Sequence, residues 1–295
     1  MIVRRGFHPW RIVKTSGPQF VTLLVYDTVV SALYLLGGPA WLSLPDLPLP
    51  LLGSAVALVV TLRNNAAYAR WWEARTLWGA ILNNGRSFAR AVTLYIPDPT
   101  LRTTLIRLMI AYPVAVRCHL LRLDPWPDLE PLVAPATLPP EILESLRGRA
   151  NVPAAILGVI AANLARAGLD NMALSGLDRY LGCLTDAQGG LERIKNTPMP
   201  RRYNQFPMLF SRAYCIMLPL GLLNTLGWAT PVGSTLIGFM FLALDRMGLD
   251  LEDPFENTTH DIPMRAIART IEIDLLQQLG DDAPTPIKPV DGVLW

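Results

Sequence analysis

The sequence predicts an all-α membrane protein with four transmembrane helices and a helical cytosolic domain. Three observations lead there. Mean hydropathy over the 295 residues is +0.31 and only 17% of residues are charged, against about 25% in ordinary soluble domains. The charge deficit is concentrated in a few long apolar runs, as a bilayer requires. No stretch shows the alternation of a half-buried strand, and no internal repeat is visible.

Four runs are apolar enough to cross: Phe20 to Leu36, Leu49 to Leu62, Phe206 to Leu226, and Ala229 to Leu244. Some fall short of the roughly 20 residues a straight span needs, but each can continue helically into its polar flank. The links at 37–48 and 224–233 contain no Lys or Arg, whereas Arg4, Arg5, Arg11 and Lys14 precede the first run. Arg63, Arg70 and Arg75 follow the second, and Arg193, Lys195, Arg201 and Arg202 precede the third. The positive-inside rule then puts both termini in the cytoplasm of a multi-pass protein of the inner (plasma) membrane. The first twenty residues lack the continuous apolar core of a cleavable signal peptide. The stretch Leu101 to Leu121 is also apolar, but Arg102, Arg107, Arg117 and Pro113 interrupt it. It is expected to be a buried cytosolic helix.

The organisation expected is a cytosolic N-terminal segment (1–19), transmembrane helices 1 and 2 (20–74), a helical cytosolic domain (75–203), transmembrane helices 3 and 4 (204–246), a cytosolic helical segment (247–280) and a tail (281–295). In the cytosolic domain, Trp78, Ile81, Leu82, Phe88 and Val92 share a face, Pro153 opens a helical run, and Asp178 to Ile194 continues as helix until Pro198 and Pro200. The proline-rich stretch Pro125 to Pro140 reads as a loop. The tail after Gly280 is expected to be disordered or to lie on another subunit.

Enzyme chemistry finds no footing. His8, His119 and His260 stand far apart without metal-ligand spacing, and no HExxH, GxSxG, P-loop or GxGxxG pattern occurs. No cofactor is expected. A net charge of +2 gives no basic surface for nucleic acid. Cys118, Cys183 and Cys215 are expected to be free thiols.

The second run carries the functional signal. Ser54, Leu58 and Leu62 are spaced four apart and share one uncharged face of a helix. Copies of such a helix around an axis would form an apolar constriction of the kind that gates by dewetting, although periodicity alone favours packing of the stripe against neighbouring helices or lipid. Asp27 lies inside the first run, where a carboxylate is expected to be paired; Arg63 and Arg212 are the partners at similar depth, and an ion or proton site is the rival reading.

Three stretches carry a resemblance to a known family. They are Arg63-Asn-Asn-Ala-Ala-Tyr-Ala-Arg-Trp-Trp-Glu-Ala-Arg-Thr-Leu-Trp-Gly79, Glu192-Arg-Ile-Lys-Asn-Thr-Pro-Met-Pro200 and Gly248-Leu-Asp-Leu-Glu-Asp-Pro-Phe255. Together with the four-span layout they resemble the bestrophins, in particular the bacterial-type members, over nearly the whole chain. The resemblance implies a homopentameric ion channel whose second helices line a hydrophobic neck, matched here by Ser54, Leu58 and Leu62. It implies a cytosolic constriction near Met172, counted back from Thr197, and partners limited to further copies of the chain, membrane lipid and small inorganic ions. Anions such as chloride are the family's default and cations the alternative. Animal members carry a calcium clasp after the fourth span. Asp250, Glu252, Asp253 and Glu256 stand there, but Leu251 and Pro254 replace two of the clasp's aspartates, so Asp250, Glu252 and Asp253 are weak calcium candidates and no metal is expected. A secondary transporter and a non-conducting membrane scaffold are the other readings.

Overall fold

The computed structural model describes residues 1–2, 9–39, 42–44, 47–132 and 140–295. Its elements in order are α1 (Pro9–Leu35), α2 (Leu49–Tyr95), α3 (Pro99–Leu121), α4 (Trp126–Leu129), α5 (Pro140–Leu146), α6 (Val152–Arg166), α7 (Asn171–Asn196), α8 (Arg201–Leu226), a 3-10 turn (Gly227–Ala229), α9 (Thr230–Glu252) and α10 (Met264–Leu279). Among the described residues there are no strands, only isolated bridges. The chain divides into two compact units, one of 1–4, 71–198 and 254–295 and the other of 5–70 and 199–253. His8 lies outside the described residues, as do residues 133–139 of the proline-rich stretch.

The first unit is a helical bundle around one apolar core. Helix starts are set locally: Asp98 accepts a hydrogen bond from Thr100 N ahead of Pro99, Asn151 accepts from Ala154 N beside Pro153, and Asp170 accepts from Met172 N and Ala173 N. A short polar side chain there satisfies amides that the helix leaves unpaired. Trp78, Ile81, Phe88 and Val92 of α2 are buried, as the spacing predicted, and Leu82 is half-buried. They join Leu105, Ile106, Met109 and Tyr112 of α3, Ile156 and Ile160 of α6, Leu177 and Leu184 of α7, and Ile271 and Leu275 of α10. Helix α3 is long and apolar enough to cross a membrane, yet 13 of its 23 residues are buried within this bundle. Tyr112 donates to Leu184 O at 3.0 Å from the core, and burial pushes its phenol well above the usual range.

Two expectations are corrected here. One turn of helix, α4, forms inside the proline-rich stretch, because Pro125 and Pro127 sit where the first turn tolerates proline. The end of the tail is ordered against its own chain rather than disordered. Val293 is buried, bridges Ile2 and Val290, and Ala266 N donates to Trp295 O at 2.8 Å. A few backbone bonds and one buried valine hold a segment whose composition could not build a core of its own.

The second unit contains α1, the N-terminal part of α2, α8 and α9. The apolar stretches Gly17–Leu35, Leu49–Tyr95 and Arg201–Glu252 are long enough to cross a membrane. Helices α8 and α9 form a hairpin through the 3-10 turn, where Gly227 adopts φ +51°. Helix α1 packs on both, with Tyr26 donating to Ile216 O at 2.9 Å and Tyr34 to Asn224 Oδ1 at 2.8 Å. Residues 49–60 of α2 contact α8 through Leu49, Val56, Val60, Tyr214 and Leu218.

Candidate pore-lining face

Helix α2 has two faces in the second unit. Gly53, Val56, Val60, Arg63, Asn64 and Ala67 are buried. Leu51, Ser54, Ala55, Leu58, Thr61, Leu62, Asn65, Tyr68 and Ala69 are exposed and recur at helical spacing. Leu58 is 61% exposed and Leu62 52%. The exposed face carries no ionisable group apart from the Tyr68 phenol, and Ser54 turns its hydroxyl back to Leu51 O at 2.8 Å.

What keeps charge off that face is the residue next to Leu62. Arg63 is 1% exposed. Its Nη1 donates to Asp245 Oδ1 at 2.7 Å and its Nη2 to the Asp245 carbonyl, while Asn64 Nδ2 donates to Leu244 O at 2.8 Å. A Cβ on Gly248 would stand 2.0 Å from Asn64 Oδ1 and 2.8 Å from Arg63 Nη2, so glycine is what lets α9 approach this cluster. Gly53 plays a similar part higher on α2, where a Cβ would stand 2.6 Å from the Tyr214 hydroxyl. The buried face thus fixes the roll of α2, and the roll decides which side chains are exposed.

Asp27 departs from its expected pairing. Its Oδ2 accepts from Thr235 Oγ1 at 2.8 Å, and neither arginine is its partner: Arg63 is taken by Asp245 and Arg212 is exposed on α8. Sequence reasoning missed Asp245 because the fourth run was ended at Leu244. The helix continues to Glu252, which makes Asp245 an interior residue. The signal available was the motif itself, since Arg63 and Asn64 open one matched stretch and Gly248 opens another.

A model of the bacterial and fungal bestrophin proteins matches residues 11–277. The chain belongs to the bestrophin family. It is 34% identical over 287 residues to a voltage-dependent anion channel-forming protein of Mesorhizobium japonicum, covering 95% of this chain and 90% of that one. It is 37% identical over 246 residues to the voltage-dependent anion channel-forming protein YneE of Escherichia coli (strain K12), covering 82% and 79%. The crystal structure of a bacterial bestrophin homologue from Klebsiella pneumoniae superposes with a TM-score of 0.80 at 28% identity, covering 89% of this chain and 98% of that one. With its apolar helices, this bestrophin is a membrane protein.

The other expected positions can be placed on this bestrophin. Met172 is the second residue of α7 and is 85% exposed. Helix α7 runs without interruption from there to Asn196. The acids at the end of α9 and just beyond it each have a partner. Asp250 pairs with Arg246 at 3.0 Å, Glu252 accepts from Asn204 at 2.6 Å, Asp253 lies 3.8 Å from Arg70, and Glu256 pairs with Lys195 at 2.7 Å. Among the described residues, no group of three or more His, Cys, Asp or Glu is placed to hold a metal ion. Cys118, Cys183 and Cys215 are all free.

Proposed function

We propose that the chain is one subunit of a homopentameric channel that passes small anions along a central axis. In this reading α1, the membrane part of α2, α8 and α9 cross the inner membrane, both termini face the cytoplasm, and the first unit is cytosolic. Five α2 helices enclose the axis, with Ser54, Leu58 and Leu62 forming the neck and Met172 an exit constriction. The partners are further copies of this chain, membrane lipid and the permeant ions.

One observation carries the reading. The exposed face of α2 mixes Leu51, Leu58 and Leu62 with Thr61 and the Asn65 amide, whereas α1 exposes Val21, Val25, Val29 and Leu33 together with Thr22 and Thr28, whose hydroxyls are satisfied by Pro18 O and Leu24 O of the same helix. An exposed amide is costly against hydrocarbon and cheap against water. The α1 pattern suits lipid, and the α2 pattern suits a narrow path that wets and dewets. The anion preference is supported by the names of the relatives.

Conduction in planar bilayers tests this. The purified protein should give currents whose reversal potential in a KCl gradient follows chloride, and a reversal at the potassium potential selects the cation alternative. Leu58→Ala should raise single-channel conductance by removing bulk from the neck. Unchanged current would place Leu58 off the path, and native mass spectrometry giving a subunit number other than five would reject the assembly.

A further inference from the structure

Within the first unit, the C-terminal ends of α3 and α7 meet the N-terminal end of α6 around a cavity of about 610 Å3. That volume is in the range of small-molecule sites. Its wall carries Arg122, Arg149 and Lys195 against one carboxylate, Glu192. Glu192 is already occupied. Its Oε1 accepts from Asn151 Nδ2 at 2.9 Å and Gln188 Nε2 at 2.7 Å, with His119 Nε2 at 3.4 Å. Lys195 is held by Phe255 O and Glu256.

Several arginines of the same unit are matched by carboxylates, and these two are among those that are not. Arg86, Arg117, Arg147 and Arg193 pair with Asp274, Asp128, Glu130 and Glu73. Among the described residues, Arg122 has no carboxylate at ion-pair distance, and Arg149 reaches only the Ser145 carbonyl at 3.3 Å. Arg122 is also strained. It caps α3 in the left-handed region, φ 55° and ψ 38°, a place where glycine or asparagine is usual. Such strain persists where something else requires the side chain. Trp126, whose ring already carries the Arg147 guanidinium 5.0 Å from its centroid, adds its remaining apolar surface to the same wall.

We propose that this cavity binds a small organic phosphate. The guanidinium groups of Arg122 and Arg149 would take the phosphate, because their planar donors match its oxygens, and Trp126 would contact the organic body. The volume far exceeds one phosphate group, which is why an organic body belongs in it. The site stands independently of the conduction reading, since all its residues lie in the first unit.

Isothermal titration of the full-length protein in detergent decides the matter, with AMP, ribose 5-phosphate, inorganic phosphate and adenosine as probes. AMP should bind most tightly, ribose 5-phosphate more weakly, and adenosine not at all; binding should weaken as salt is raised. Arg122→Gly relieves the strained cap, so it should melt at the same or a higher temperature while binding AMP about 10-fold more weakly, the loss of one charge-assisted contact. Arg149→Gln should lose a similar factor. Absence of binding by both organic phosphates, or AMP binding unchanged in both variants, overturns the site. Adenosine binding as well as AMP overturns the role of the arginines, and inorganic phosphate binding as well as AMP overturns the organic body.

Discussion

The first unit buries Trp78, Phe88, Leu105, Ile106 and Tyr112, while the second buries Asp27, Ser31, Arg63, Asn64, Thr235 and Asp245. The second unit also exposes many large apolar side chains, among them Val25, Leu33, Leu209, Val232 and Leu236. In the membrane arrangement proposed above, the contrast reflects the solvent each unit meets. In water, apolar surface is driven inward and one continuous core results. Hydrocarbon gives apolar side chains no such incentive, so helices associate through small residues and buried polar contacts. Gly53 and Gly248 at close approaches, and the Arg63–Asp245 pair, are the corresponding devices here.

The comparison can be broken most severely at a buried residue in either unit. Asp245→Ala strands the Arg63 guanidinium and should cost about 3–5 kcal/mol, read as loss of folded protein on size-exclusion chromatography. The double replacement Arg63→Met with Asp245→Leu should recover most of that loss. If both behave alike, the charge pair is not what holds α2 to α9. In the first unit Trp78→Ala should cost a similar ~3–5 kcal/mol through transfer and cavity terms, measured by thermal melting. No double replacement of charges should be able to restore it.

A smaller effect is expected at an exposed position of α9. Leu236→Arg should lower membrane insertion by about 2.5–3.5 kcal/mol, read as reduced recovery in the membrane fraction. A still more exposed leucine of the first unit, Leu94, should accept arginine with little change. The smallest effect concerns Glu272 of α10, whose carboxyl is held above the usual range by burial, against the opposing charges of Arg269 and Arg107. Its folded state prefers the protonated form, so the ionised group detracts from stability at neutral pH. That penalty is absent below the unfolded value of 4.5 and sets in as pH rises through the higher folded value. Glu272→Gln should therefore stabilise the protein at neutral pH, and melting curves of the two proteins should converge as pH falls toward 4.5.

Much of this architecture can be read directly from periodicity. The face of Trp78, Phe88 and Val92 follows from helical spacing. Arg102, Arg107 and Arg117 mark α3 as a helix for the bundle interior, although its apolarity alone would suit a membrane. The stripe of Ser54, Leu58 and Leu62 is legible for the same reason: four-residue spacing puts them on one side whatever they face. Asp27 shows where such reading stops. Its partner Thr235 lies 208 residues away, and depth along a span says nothing about rotation around it. The tail shows the same limit, because whether Val293 finds a place beside Ile2 depends on the rest of the unit being built.

Composition and spacing alone established an all-helical membrane chain, the apolar runs, and an uncharged face on α2, since these depend only on solvent preference and the helical repeat. Tertiary structure decided the partners: Arg63 with Asp245 rather than Asp27, the acids at the end of α9 and beyond each with a partner of its own, and Arg122 and Arg149, without a carboxylate partner among the described residues, gathered on one wall. Pairing depends on distances between helices remote in sequence, and those distances exist only once the buried faces have fixed how each helix is turned.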